Sequence, residues 1–85
     1  MKTLDEKKNL TQLERLILEA IVELSKPVKQ KDLSNYIGIS IRSTRHGLSN
    51  LIKSNIISSR PDLSDLRSFY YMLKSDININ RILSP

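Results

Sequence analysis

Six side chains between Ser40 and Ser54 could act together. Arg42, Ser43, His46, Ser49, Asn50 and Lys53 fall on one side of a helix wheel at 100° per residue, with Arg45 on the flank. They offer cations, hydroxyls, an amide and an imidazole, and no Asp or Glu occurs between Ile39 and Arg60. A helix face that is merely soluble mixes both signs. A face of donors and positive charge suits phosphate oxygens and base edges. The chemistry on offer is recognition, not bond making. His46 is the sole histidine, and no carboxylate stands near it in sequence to orient it. Asp62 and Asp65 lie three apart in a stretch where such residues ordinarily serve turn geometry. There is no cysteine, which removes thiol catalysis, thiolate metal sites and disulfides. No Gly-rich phosphate loop and no metal-ligand cluster is visible. We therefore expect no enzyme, no cofactor and no metal.

The charge distribution sharpens this reading. Net charge is +5 over 85 residues. Residues 1–24 hold four basic against five acidic groups, residues 25–60 seven against one, and residues 61–85 three of each. The whole excess lies in the middle segment. A positive field confined to one region is what a polyanion-binding surface needs. No apolar run approaches the ~20 residues that cross a bilayer, and the first residues lack a signal-peptide core, so a cytoplasmic protein is expected.

The elements that must position these side chains can be read in order. Residues 1–10 are polar and are expected to form a flexible N-terminal segment. Thr11 and Glu14 have capping-box spacing, and Leu13, Leu16, Ile17, Ala20, Ile21 and Leu24 then recur at helical intervals, predicting a helix over about 11–25. Leu18 and Val22 lie off that stripe and either widen the buried face or meet a second chain. Pro27 breaks the helix, and Val28 begins either a short strand or the next helix. A second helix is predicted over 29–37, with Leu33, Tyr36 and Ile37 inward. Lys29 and Lys31 at its start face either phosphate or water. Gly38 supplies a left-handed turn residue, and Ser40 stands in N-cap position for the helix that bears the cations. On that helix Ile41, Thr44, Leu48, Leu51 and Ile52 form the anchoring side. Asn55 is placed as a left-handed C-cap.

Strands are predicted over 56–60 and 68–73, joined by the turn-rich residues 61–67. Alternation puts Phe69 and Tyr71 on one face, expected inward, and Tyr70 on the other. Residues 74–85 read as a short C-terminal helix with Ile79, Ile82 and Leu83 on one side, or as a continued strand. Helix, turn, helix and then a hairpin make an α+β, mainly α, winged helix-turn-helix: three helices plus a β-hairpin wing, over residues 11–73.

Leu33 to Ile57 resembles the helix-turn-helix of MarR-type winged-helix regulators. Arg60 to Ser68, ending in Leu73, is similar to that family's wing, with its Asp-x-Arg motif at Asp65 and Arg67. The resemblance implies that Arg67 reaches a minor groove and that Asp65 orients it. Asn55 stands where the family has a glycine, and Gly47 where a larger residue is common. Family members are longer, dimerise through helices at both ends and bind effectors beside the DNA-binding lobe. A short, trimmed form of the archaeal or viral type is the expectation here.

The expected function is sequence-specific binding of double-stranded DNA in transcription regulation, as a homodimer. Helix 40–54 would lie in the major groove and wing 60–68 at the minor groove. Arg42 would contact guanine, and Asn50 adenine or a phosphate. Ser40, Ser43, Arg45, His46 and Lys53 would share base edges and backbone, with Lys31 and Arg60 on phosphates. Leu18, Val22 and residues 79–83 are the candidate dimer contacts. The alternative is a winged-helix protein-protein interaction module within a larger complex, which two exposed aromatics on the second strand would favour.

Overall fold

The computed structural model describes residues 10–75 and 77. The first helix, α1, spans Gln12–Leu24. Its capping box closes in both directions. The Glu14 N–H donates to Thr11 Oγ1 at 3.1 Å, and the Thr11 N–H donates to Glu14 Oε1 at 3.2 Å. These bonds satisfy backbone donors that a helix start leaves without an intrahelical acceptor. Ile17, Leu18, Ala20 and Ile21 are buried. Leu18 thus widens the core face and is closed to any partner within this arrangement.

The chain leaves α1 through Ser25 in the left-handed region and enters β1, Val28–Lys29. Val28 therefore begins a strand. Helix α2 spans Gln30–Ile37 and stops at Gly38, whose φ is +84°. Ser34 ties the turn that follows. Its carbonyl accepts from the N–H groups of Gly38 (2.8 Å) and Ile39 (3.2 Å), and its hydroxyl donates to the Ile39 carbonyl at 2.6 Å. Ser40 then caps α3, Ile41–Lys53, by accepting from the Ser43 N–H at 3.0 Å. The buried Thr44 hydroxyl donates back to the Ser40 carbonyl at 2.9 Å. Helix α3 ends in a Schellman motif. Ile56 N–H donates to the Leu51 carbonyl and Asn55 N–H to that of Ile52, with Asn55 at φ +62°.

Strands β2, Ile57–Asp62, and β3, Asp65–Leu73, form the hairpin, and both are longer at the tip than the sequence pattern predicted. The sheet is antiparallel in the order β1-β3-β2. Pro61 lies on the edge strand β2, where its missing N–H costs no ladder bond. Leu33, Leu48, Leu51, Val28, Ile56 and Ile57 join the α1 face in one buried cluster beneath the sheet.

Four inward expectations are corrected. Leu16, on the α1 stripe, is exposed, while Leu18 beside it takes the buried place. Tyr36 is 53% exposed, because α2 is short and its hydroxyl reaches out to donate to Glu23 at 2.8 Å. Ile52 lies at the rim of the core and is exposed. Phe69 is also exposed, because it lines an open cleft with Gln30, Lys31 and Arg67 and does not pack on the core. Tyr71, on the same face, still packs on the core. The expected flexible segment over residues 1–9 and the expected C-terminal helix with Ile79, Ile82 and Leu83 lie outside the described residues.

Candidate nucleic-acid interface

Arg42, Arg45, His46, Ser49 and Lys53 are all exposed along α3, and Ser40 is exposed at its cap. Ser43 is half-buried, its N–H held by Ser40. What sets the helix at this depth is Gly47. It is buried where α3 crosses α1, and a Cβ there would overlap Ile17 Cδ1. A glycine interrupting an otherwise periodic helix was the one signal in the sequence of such a close approach.

Asn50 is not a free reader. Its Nδ2 donates to Glu14 Oε2 at 2.9 Å and lies 3.5 Å from His46 Nε2. Glu14 therefore caps α1 with one oxygen and ties down α3 with the other. The charged face has no carboxylate of its own, but the fold brings this one to its flank. Sequence spacing could not reveal a contact across 36 positions.

At the second helix start the two lysines diverge. Lys29 is drawn inward. Its Nζ pairs with Asp62 Oδ2 at 2.7 Å and stands 5.3 Å from the centre of the Tyr70 ring. Asp62 is buried at the turn end of β2, and its Oδ1 also accepts from the Ser64 N–H (2.9 Å) and hydroxyl (2.7 Å). The Lys29 bond, with help from Ser64, holds the Asp62 carboxyl well below the usual carboxylate range, and the same bond raises Lys29. Lys31 stays exposed and, with Arg67, lines a cleft of about 270 Å³ whose wall includes Gln30 and Phe69. Arg45 and Lys53 share a second, open groove with Ile52 and Tyr71. Burial raises the Tyr71 phenol, and nearby Arg45 pulls it the other way.

The wing holds a feature that the sequence pattern did not predict. From Ile57↔Leu73 to Pro61↔Phe69 the register is regular, but Asp62 then pairs with Asp65. Leu66, Arg67 and Ser68 consequently face no residue on β2. Such an irregularity re-aims side chains at a sheet rim. Arg67 projects with 95% of its side chain exposed, its Nε 3.6 Å from Asp65 Oδ1. Asp65 also accepts from the Arg67 N–H and the Ser68 hydroxyl. Arg60 is exposed on β2 opposite Tyr70, which pairs with Lys29 on its other side. The structure thus brings Lys31 and Arg67 together, and Arg45 and Lys53 together. No described contact joins Arg42, His46 or Arg60 to either pair.

The fold recurs in solved structures. The PcaV transcriptional regulator from Streptomyces coelicolor superposes with a TM-score of 0.75 at 19% identity, over 86% of this chain and 52% of that one. A MarR family transcription regulator superposes at 0.76 and 19% identity, over 92% and 50%. The fold is the MarR-type winged helix. The adhesin competence repressor AdcR from Streptococcus pyogenes shares it too, at 0.71 and 22% identity, over 80% and 48%. This winged helix therefore spans about half the length of these proteins. No family model and no curated protein matches the sequence. No helix among the described residues is long and apolar enough to cross a membrane, and no group of three or more His, Cys, Asp or Glu among them could hold a metal ion.

Proposed function

We propose that this winged helix is a sequence-specific regulator of transcription that binds double-stranded DNA as a homodimer. One observation carries the reading. The cations of α3 and the wing stand exposed, while three carboxylates beside them are each engaged: Glu14 by Asn50, Asp62 by Lys29 and Asp65 by Arg67. The result is a surface of exposed donors over a positively charged segment, the electrostatic footprint of a phosphate-binding face.

In this reading helix 40–54 enters the major groove and wing 60–68 meets the minor groove. Arg42, exposed in the first turn of α3, contacts guanine. Ser43, Arg45, His46 and Lys53 divide between base edges and backbone. Lys31 and Arg60 hold phosphates. Arg67, oriented by Asp65, follows the wing into a groove whose narrow A·T-rich form attracts arginine. Asn50 acts first as the tie that fixes α3 against α1, and reaches a base or phosphate only from that position. Two-fold binding to half-sites about one helical turn apart follows from a dimer.

The test is selection from a random duplex pool at two salt concentrations, followed by sequencing. An enriched palindrome with steeply salt-dependent affinity is the expected outcome. Arg42→Ala should relax specificity at one position, losing about 1–3 kcal/mol of discrimination. Lys53→Ala should weaken all sequences alike and lower the salt slope by about 1. Absence of binding at low salt would refute the proposal. The protein-interaction alternative asked for two exposed aromatics on β3, but of Phe69, Tyr70 and Tyr71 only Phe69 is exposed, the tyrosines being half-buried.

A further inference from the structure

Single exposed apolar residues are ordinary on protein surfaces. The wing tip is different. The two most exposed large apolar side chains among the described residues both sit there, Leu63 at 87% and Leu66 at 69%. They share the tip with Arg67. Leu63 occupies the two-residue connection between β2 and β3, and Leu66 lies in the segment of β3 that no β2 residue faces. The tip is held from below. Asp62, buried and paired with Lys29, accepts both the N–H and the hydroxyl of Ser64. A hairpin tip pinned through Asp62 and irregular in its pairing leaves these two side chains exposed.

Their surroundings narrow the choice of partner. Asp62 is neutralised by Lys29, and Asp65 is engaged by Arg67. Lys31 is exposed beside the cleft, and Arg67, which meets Asp65 through Nε, keeps 95% of its side chain exposed there. An apolar tip carrying an arginine fits a polyanion with an apolar interior, which is what a stacked duplex offers. Proteins that work in the minor groove insert leucine-type wedges between base steps and kink the duplex by about 20–90°.

We propose that the wing tip is an apolar wedge. Leu63 and Leu66 enter the minor groove with Arg67, unstack a single base step and bend the DNA. This inference rests on the DNA-binding reading and adds a mechanical role to it. The opened step is one that unstacks easily, TA or CA/TG, so such steps recur under the wing in selected sites.

The test uses the full chain and a short duplex from the selected pool, with a FRET pair at its ends and 2-aminopurine at the step under the wing. Wild type raises end-to-end FRET and 2-aminopurine fluorescence on binding. The L63N/L66N variant still folds, because both positions face solvent, and in a complex brought to saturation with excess protein both signals are lost. A straight wild-type complex, or a variant that bends DNA equally, overturns the wedge and leaves the regulator reading intact. If wild type binds no duplex at all, both readings fall, and the leucines point to an apolar protein partner.

Discussion

Glu14 serves two helices with one carboxylate. Its Oε1 completes the α1 cap and its Oε2 holds Asn50 of α3. Glu14→Ala should therefore cost more than a cap alone, about 1–2 kcal/mol by urea denaturation. Asn50→Ala should remove only the interhelical part. A Glu14/Asn50 double-mutant cycle should show coupling, and strict additivity would mean that the bond contributes nothing. Asp62 supplies a pH-dependent component. Its folded-state pKa lies below the ordinary 3.8, chiefly through Lys29. The stabilisation it gives is complete above that ordinary value and is lost as pH falls through the lowered one. Thermal unfolding from pH 5 downward should show Asp62→Asn losing less stability than wild type. Parallel curves would show that the pair does not matter to folding.

At the scale of elements, the placement of α3 depends on two backbone solutions. Gly47 permits contact with Ile17, so Gly47→Ala should strain the α1–α3 crossing. The overpacking cost of about 1–3 kcal/mol outweighs the roughly 0.8–1 kcal/mol that alanine gains in a helix. Net destabilisation is expected, and a rise in melting temperature would refute the close-packing argument. Asn55 closes the other end of α3 in the left-handed region. Asn55→Ala should cost about 1 kcal/mol, and Asn55→Gly little or nothing, in the same denaturation assay. If alanine were as good as glycine there, the cap would not be what fixes the α3–β2 turn.

For the molecule as a whole, a two-fold DNA site needs a pairing surface. Leu18 is fully buried and cannot serve. Residues 79–83 lie outside the described residues, and Val22 lies beside Pro27, Met72 and Leu73 in a shallow groove. If the dimer forms there, Val22→Lys should shift sedimentation from dimer to monomer while far-UV CD is unchanged. A variant that still sediments as wild type would place the pairing surface elsewhere.

Local physics was enough for the sequence to determine much of this protein. The capping box at Thr11, the glycine turn at Gly38, the Ser40 cap and the Asn55 C-cap each depend on residues a few positions apart. They therefore placed the three helices to within a residue or two. The same holds for the exposed row on α3, because helical spacing alone separates Arg42 and His46 from Leu48 and Leu51. Tertiary structure decided what depends on distant partners. Lys29 and Lys31 look alike in sequence, yet only Lys29 meets Asp62 across the β1–β3–β2 sheet. Asn50 looks like a base reader until Glu14 comes to its side. Phe69 alternates correctly and is still exposed, because alternation gives the face and not where the core ends. The irregular pairing that projects Arg67 follows from a register between two strands, which neither strand specifies alone.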